Sequence, residues 1–327
     1  PSATLADQVA KGENWNMDGE VDESKIEALM DRFYGVCLGV SAAHVDEEVA
    51  TIEDTDRGAK IGLRWIQGPF EIMNKIGIDK TYACVAAICE KYPDFKMPQI
   101  LEKQKAAGKP FEFKLVDLDI KGDIAWLTIN RPEAMNALNE GVVAQLDANF
   151  SRAEQNPNVK AVVIQGAGKA FVAGADIRYF VKNIKADKIQ DIAAFTRAGH
   201  ATLLKIENSA KLTICLLDGL SLGGGSELAL ACQAIVATPA ASMAFPETGI
   251  GIFPGLGGML RFAKQTSPAL AKYYTFTGAP IKAADAEALG IITRLVQPAA
   301  VEAAITELVS QGKPDKYRAR EIPAPYS

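Results

Sequence analysis

The sequence predicts an α/β fold that is preceded by an all-helical N-terminal domain. Residues 22–92 carry apolar residues at helical spacing and show no strand pattern. From Phe113 onward, short apolar strands alternate with helices, as in α/β proteins. The chain of 327 residues is long enough for two domains. We therefore predict a helical domain over residues 1–110 and an α/β domain over residues 111–327.

Composition and charge exclude several classes of function. Hydrophobic residues make up 48% of the chain and charged residues 23%, which is typical of a globular protein. The net charge of −5, without a basic cluster, predicts neither a nucleic-acid nor a membrane partner. Five cysteines without CxxC spacing indicate a reducing compartment, and no secretory signal or long apolar run is visible, so we expect a cytoplasmic protein. Two histidines are too few for a histidine-based metal site, and no metal-binding motif is present.

The first hundred residues are predicted to be helical. Pro93 ends a helix predicted from residue 81, and the polar stretch 93–110 has the composition of a linker. An earlier helix is predicted within residues 22–51, with one apolar stripe formed by Ile26, Leu29, Met30, Phe33, Val36 and Cys37.

The second part of the chain reads as repeated strands and helices. It opens with a hairpin, since two strands flank the turn at Lys121 and Gly122. The helix that follows has a predicted buried face of Val142, Val143, Leu146 and Phe150. That helix is predicted over 139–155, further helices over 189–206 and 299–310, and further strands over 160–165, 211–217 and 233–237.

A glycine triplet, Gly223-Gly224-Gly225, separates a buried strand from a buried helix. The unpaired N–H groups at the start of such a helix favour an anion or a developing oxyanion, and glycine lets a ligand approach the backbone closely. Glu227 lies in the first turn of this helix. A carboxylate in that apolar setting is either a capping group or a catalyst with a raised pKa.

A second carboxylate, Glu247, lies in a stretch rich in Gly and Pro from residue 245 to residue 258. We expect a fixed loop that presents Glu247 at a helix start, where alone it would be a capping or turn acid. Two buried carboxylates that converge from separate loops suit general acid–base catalysis. The small residues from Ala173 to Asp176 form another place where backbone amides are free near a helix start.

Residues 113 to about 300 resemble the crotonase (enoyl-CoA hydratase/isomerase) superfamily along their whole length. The resemblance implies a spiral of ββα turns that forms two nearly perpendicular sheets. Fewer helices follow Val296 than in that superfamily, so we expect a shortened C-terminal tail. The motifs that carry the resemblance are Asn130-Arg131-Pro132, Asn136-Ala137-Leu138, Ala173-Gly174-Ala175-Asp176-Ile177, Gly223-Gly224-Gly225-Ser226-Glu227-Leu228, Pro246-Glu247 and Pro254-Gly255-Leu256-Gly257-Gly258.

The same resemblance implies roles for four residues. The backbone N–H groups of Ala175 and Gly224 would form an oxyanion hole for a thioester carbonyl. Glu227 and Glu247 would hold the water that adds across the double bond. One of these acids would take a proton from the water and the other would deliver a proton to Cα, with the assignment left open.

The implied substrate is an acyl-CoA thioester, and no cofactor is expected because CoA is part of the substrate. We expect a hydratase of short-chain 2-enoyl-CoA, since Phe195 and Leu203 are bulky candidates for the acyl pocket. The alternatives are an enoyl-CoA isomerase and a non-catalytic acyl-CoA-binding subunit. A homo-oligomer is also expected. The resemblance places Lys169 and Arg178 near the CoA phosphates and adenine, and the full CoA-binding set comprises Lys169, Ala173, Asp176, Ile177 and Arg178.

The helical domain has a resemblance of its own. Asp54-Thr55-Asp56-Arg57-Gly58, Gly62-Leu63-Arg64-Trp65 and Gly68-Pro69-Phe70-Glu71 resemble the helical C-terminal domain of 3-hydroxyacyl-CoA dehydrogenases. No strand–GxGxxG–helix precedes this segment, so we assign no dehydrogenase activity. From the residues alone the segment reads as an all-helical packing domain, and the order of the two resemblances suggests a chain descended from a dehydrogenase–hydratase fusion.

Overall fold

A computed structural model of the protein describes residues 3–12, 22–317 and 322–326. The chain divides into two compact units, Pro1–Phe113 and Lys114–Ser327. Each unit has its own hydrophobic core: Phe70 and Met73 are fully buried in the first, and Phe150 and Phe171 in the second.

The described part of the first unit is helical. The start of α4 is fixed by Asp56, whose carboxylate accepts hydrogen bonds from the N–H groups of Phe70 (2.7 Å) and Glu71 (3.0 Å). The expectation of a linker over residues 93–110 is wrong, because a helix lies there and its Leu101 is only 1% exposed. The helices are α1 (Ala3–Lys11), α2 (Glu23–Asp46), α3 (Ile52–Gly62), α4 (Pro69–Ile76), α5 (Ile78–Lys91) and α6 (Gln99–Ala107).

Helix α2 is apolar on two opposite faces. One face packs into the core of the unit through Gly35, Leu38, Gly39 and Ala42. A β-carbon at Gly35 would lie 2.4 Å from the carbonyl oxygen of Cys84, so glycine permits the close approach of α2 and α5. The stripe singled out in the sequence lies on the other face, where Cys37 is half-buried and the other five residues are exposed, with Phe33 at 69%.

The second unit alternates strands and helices. Its elements are β1 (Val116–Lys121), β2 (Ile124–Ile129), α7 (Glu140–Gln155), β3 (Ala161–Gly166), β4 (Ala170–Ala173), α8 (Ile177–Lys185), α9 (Ile189–Glu207), β5 (Leu212–Leu217), β6 (Leu220–Leu222), α10 (Gly224–Ala231), β7 (Ala234–Ala237), β8 (Ser242–Ala244), α11 (Gly258–Gln265), α12 (Pro268–Thr277), β9 (Ile281–Lys282), α13 (Ala283–Ala288), β10 (Arg294–Leu295) and α14 (Val301–Gln311).

The strands form two sheets. The larger has the order β1-β2-β3-β5-β7-β10, and the smaller has the order β4-β6-β8-β9. Strands β3, β5 and β7 are parallel and covered on both sides, which explains their continuous apolar sequences. The predicted hairpin is confirmed as β1 and β2, with Gly122 at a φ of +61° in the turn. The predicted face of α7 is buried as expected.

The smaller sheet sets the positions that matter for function. Strands β4, β6 and β8 run parallel, with Ala173 opposite Leu222 and Leu222 opposite Ala244. Because parallel strands in this register end at the same edge, the residues that follow all three strands lie close together. The sequence had not indicated β6 or β8, which have three residues each.

Candidate active site

The common edge of β4, β6 and β8 brings the predicted site residues together. Ala175 lies two residues beyond the end of β4, and Gly224 lies two residues beyond the end of β6. Glu247 lies three residues beyond the end of β8, in a short 3-10 helix (Pro246–Ile250). Sequence separation hides this arrangement, which follows from the strand register.

Two backbone N–H groups are free at this edge. The nitrogen of Ala175 lies 4.0 Å from the position that a β-carbon on Gly224 would occupy. Within the described ranges, neither the N–H of Ala175 nor that of Gly224 donates a hydrogen bond. Hydrogen bonds on either side fix the Ala175 segment, because Leu138 donates to Gly174 (2.8 Å) and Asp176 donates to Leu138 (2.8 Å).

Glu227 is 2% exposed and belongs to α10, all of whose residues are buried. Its Oε1 accepts hydrogen bonds from the N–H groups of Leu256 (2.7 Å) and Gly258 (2.8 Å). Burial raises the pKa of Glu227, against the lowering effect of these two hydrogen bonds and of the nearby Arg261 charge. The carboxylate is thus held in a fixed orientation inside an apolar environment.

Glu247 is 9% exposed, and among described residues its Oε2 has no hydrogen-bond partner although that atom is buried. Burial raises the pKa of Glu247 to about 7, its own backbone N–H opposes the shift, and the negative charge of Glu227 adds to it. A buried, unpaired carboxylate is costly to ionise, so this group exchanges a proton near neutral pH.

Glycines permit the close packing around both acids. A β-carbon at Gly223, whose φ is +46°, would lie 2.4 Å from Oε1 of Glu247. A β-carbon at Gly258 would lie 2.5 Å from Cγ of Glu227. The charge of Glu227 contributes to the raised pKa of Glu247, so the two carboxylates interact with each other at the edge that carries the two backbone donors. Such an arrangement can stabilise a developing oxyanion and move protons on either side of it.

The predicted CoA-binding residues fall into two groups. Lys169, Ile177 and Arg178 are exposed on the surface, and Ala173 is half-buried at the end of β4. Asp176 is buried and forms an ion pair with Arg131, with Nη2 and Oδ2 2.8 Å apart. Asp176 also caps α8, since its Oδ1 accepts from the N–H of Arg178 (3.1 Å).

The environment of Asp176 accounts for its charge state. Burial opposes ionisation, but the hydrogen bond and the charge of Arg131 outweigh it, so the pKa of Asp176 lies below its usual value. Arg131 also donates to the carbonyl oxygen of Ala137 (3.1 Å) and thereby joins the segment before α7 to the one that carries Ala175. The sequence motif contained Arg131 without revealing this contact.

Sequence reasoning also missed how the glycine-rich segment acts. We expected the stretch 245–258 to present Glu247, and Glu247 does lie at the start of a 3-10 helix. Its later part, Leu256 to Gly258, instead donates both hydrogen bonds to Glu227. The Gly-Gly pair that begins α11 was the available signal, because free N–H groups at a helix start attract a carboxylate.

Phe195 and Leu203, the candidates for the acyl pocket, are buried in the core of the second unit. The ring of Phe195 packs against those of Tyr179 and Phe180. Two other side chains lie nearer to the free donors: Leu138 and Leu256 have methyl carbons 3.3 and 3.7 Å from the β-carbon position of Gly224.

The described residues contain neither a metal-ligand cluster nor a membrane-spanning helix. Among the described residues, no group of three or more His, Cys, Asp or Glu side chains is placed to hold a metal ion. No helix in the described ranges combines the length and apolar character needed to cross a membrane.

The fold and the site together define a protein of the crotonase type, in which backbone donors and carboxylates share one sheet edge. A family model described as enoyl-CoA hydratase/isomerase matches residues 124–326, so the chain belongs to that family. The prediction from the sequence motifs is confirmed at this level, for the family and for the fold.

Individual relatives agree with this assignment. The short-chain-enoyl-CoA hydratase of Clostridium acetobutylicum is 36% identical over 188 residues, which cover 57% of this chain and 70% of that protein. A peroxisomal fatty acid beta-oxidation multifunctional protein of Arabidopsis thaliana is 35% identical over 183 residues, which cover 56% of this chain and 25% of that protein. The crystal structure of an enoyl-CoA hydratase subunit from Geobacillus kaustophilus matches with a TM-score of 0.55 and 33% identity, over 62% of this chain and 76% of that one.

Proposed function

We propose that this chain is an enoyl-CoA hydratase that adds water across the double bond of a short-chain 2-enoyl-CoA to give a 3-hydroxyacyl-CoA. The observation that supports it most is the pair of buried carboxylates, Glu227 and Glu247, beside two free backbone N–H groups. The name of the Clostridium relative supports the short-chain substrate.

The N–H groups of Ala175 and Gly224 bind the thioester carbonyl oxygen. As the water oxygen adds to Cβ, negative charge moves through Cα to this carbonyl oxygen. Two fixed donors at the start of α10 stabilise that charge without reorganisation, and the loss of one such donor typically costs about 100-fold or more in rate.

The attacking water lies between Glu227 and Glu247. One carboxylate takes a proton from the water while the water oxygen bonds to Cβ. The other acid, in its protonated form, delivers a proton to Cα. The sum of these transfers is the addition of one water molecule. With a pKa of about 7, Glu247 holds and releases a proton at neutral pH.

Contacts with CoA come from the exposed cations. Lys169 and Arg178 bind the CoA phosphates through charge-assisted hydrogen bonds, while Ala173, Asp176 and Ile177 shape the segment between them. Replacing Lys169 or Arg178 by Gln should raise KM for the CoA thioester, without changing kcat. Lys103→Gln, which removes an exposed positive charge from α6 in the helical unit, is the control.

The test of the activity is the loss of enoyl-thioester absorbance with crotonyl-CoA. Glu227→Gln and Glu247→Gln should each lower kcat by about 100-fold or more, because each removes a proton-transfer group. Glu302→Gln on the exposed face of α14 should leave kcat unchanged. Full activity in both active-site variants would refute the proposal. Turnover of 3-enoyl-CoA but not of 2-enoyl-CoA would assign an isomerase, and binding without turnover would assign an acyl-CoA-binding subunit.

The helical domain, residues 1–110, is proposed to derive from a 3-hydroxyacyl-CoA dehydrogenase, with the hydratase domain over 111–327. The motifs from Asp54 to Glu71 support this origin of the helical domain. Reading the coding sequence upstream of residue 1 tests it, since a strand–GxGxxG–helix unit is expected there. We also propose a cytoplasmic homo-oligomer, whose mass light scattering would measure.

A further inference from the structure

The segment Leu256 to Gly258 is held from two sides. Its N–H groups at positions 256 and 258 donate to Oε1 of Glu227, at 2.7 and 2.8 Å. On the other side, the carbonyl oxygen of Leu256 accepts a hydrogen bond from Nη1 of Arg261 (2.7 Å). The guanidinium of Arg261 and the carboxylate of Glu227 therefore bind the same backbone segment without contacting each other.

Arg261 is itself buried and tightly paired. It is 5% exposed, and its Nε and Nη2 lie 2.9 and 2.8 Å from Oε2 of Glu207 at the end of α9. The other oxygen of Glu207 accepts a hydrogen bond from the hydroxyl of Tyr317. Burial opposes ionisation of Glu207, but these two hydrogen-bonding partners outweigh it and lower its pKa.

The backbone of the segment is shaped to receive the guanidinium. Gly257 has a φ of +88°, and a β-carbon there would lie 3.0 Å from Nη1 of Arg261. At Gly258, the absence of a β-carbon likewise leaves room for the side chain of Glu227. A planar guanidinium with several donors fixes both the segment and Glu207, which the single ammonium of a lysine could not do in the same geometry.

The charge of Arg261 also acts on Glu227. The ionisable groups that face Glu227 come from three elements: His200 on α9, Arg261 on α11 and Glu247 in the 3-10 helix. Arg261 lowers the pKa of Glu227 more than His200 does, although burial remains the largest effect. Behind Arg261, Tyr317 and Lys316 face Glu207, so the cation is not isolated.

We propose that Arg261, held by Glu207, is a positioning residue that aims the N–H groups of Leu256 and Gly258 at one oxygen of Glu227 and leaves the other oxygen for water. This inference rests on the proposed function and deepens it. It assigns to α9 and α11 a second layer of contacts that controls both the orientation and the proton affinity of one carboxylate.

Arg261→Met tests the proposal in the full chain. We expect kcat with crotonyl-CoA to fall by about 10–100-fold, since small misplacements of a reacting group have effects of that size. KM should stay within about twofold, because Arg261 touches no substrate. Lys205→Met is the matched control, since it removes another ion pair of α9, with Asp147, away from the site.

A direct titration separates this proposal from the proposed activity. Carboxyl-carbon NMR of Glu227, assigned with Glu227→Gln, reports its pKa whether or not the protein hydrates a substrate. The pKa should be higher in Arg261→Met than in the native chain, because a nearby positive charge is lost. Lys205→Met should match the native chain. An unchanged pKa together with unchanged kcat would overturn the positioning role, whereas an inactive native chain would overturn only the hydratase activity.

A second variant covers the case in which Arg261→Met does not fold. Arg261→Met/Glu207→Gln also removes the carboxylate that would be left buried and unpaired, so folding should be retained. In the positioning proposal, its kcat stays low and the pKa of Glu227 stays above that of the native chain. Recovery of the native kcat and pKa in this double variant would show that the ion pair is only structural, and would overturn the proposal.

Discussion

Glu247→Gln should make the protein more stable at pH 8 while it lowers turnover. The buried carboxyl of Glu247 has no hydrogen-bond partner for Oε2 among the described residues, and burial raises its pKa from 4.5 to about 7. The folded chain therefore keeps the proton up to about pH 7, whereas the unfolded chain releases it above pH 4.5. The native state consequently loses stability as the pH rises between these two values.

The size of the effect follows from the same shift. Each pKa unit corresponds to about 1.4 kcal/mol, so the free energy of unfolding falls by about 3 kcal/mol between pH 4.5 and pH 7 and stays low above it. A glutamine side chain at position 247 would remain neutral and avoid this loss. The advantage of the Glu247→Gln variant over the native chain is absent below pH 4.5 and complete above pH 7.

Differential scanning calorimetry at pH 5 and pH 8 measures this difference. For a unit of this size, about 3 kcal/mol corresponds to a Tm increase of roughly 6–12 °C at pH 8, and a much smaller increase is expected at pH 5. Glu302→Gln, on an exposed helix face, is the control and should show no pH-dependent difference. An equal Tm change at both pH values, or a lower Tm for Glu247→Gln at pH 8, would refute the reasoning.

Three further substitutions test contacts that support the fold. In Gly225→Ala, the new β-carbon would lie 2.0 Å from the carbonyl oxygen of Val172, so we expect a loss of at least about 2–3 kcal/mol in urea unfolding. Arg131→Met removes the nearer ion-pair partner of the buried Asp176, leaving only the exposed Arg178 with its Nε 3.4 Å away, and should cost up to about 3–5 kcal/mol in the same assay. Asp56→Ala leaves two N–H groups at the start of α4 unpaired and should cost about 1–3 kcal/mol, measured from the urea unfolding transition of the helical unit.

Controls for these variants are available in the chain. Gly249→Ala should be neutral, because a β-carbon there meets no atom within 4 Å. Arg131→Met should recover stability when combined with Asp176→Asn, since no unpaired charge then remains. For Asp56, substitution by Asn keeps one acceptor and should cost less than Ala. A neutral Gly225→Ala would contradict the tight contact between α10 and β4.

The sequence predicted the parts of the site that are local and missed those that need register. The strand, the glycine triplet and Glu227 are contiguous, so their arrangement as strand, turn and buried helix could be read directly. The closeness of Ala175 to Gly224 could not, because it depends on the pairing of β4 with β6, and β6 has only three residues. The resemblance to the crotonase superfamily, and not the pattern of residues, was what placed Ala175 beside Gly224.

The misreadings have physical causes as well. Residues 93–110 contain Gly and Pro near their ends, which hid the α6 helix between them, where Leu101 docks into the core. The glycine-rich stretch that leads into α11 was read as a support for Glu247, yet the N–H groups of Leu256 and Gly258 in it donate to Glu227, a residue about thirty positions earlier. Contacts of a carboxylate with remote backbone donors leave no periodic signal in a sequence.

At the common edge of β4, β6 and β8, the backbone donors and acids come from different segments than the apolar side chains nearest to them. The donors and acids follow from strand register, whereas the methyl groups nearest to the donors belong to Leu138 and Leu256, in segments outside the small sheet. The backbone groups of the same leucines hold the Ala175 segment and Glu227, and any side chain at these positions keeps those backbone groups. Apolar substitutions of Leu138 and Leu256 should therefore change the proposed acyl-chain preference more than the positions of the proposed reacting groups.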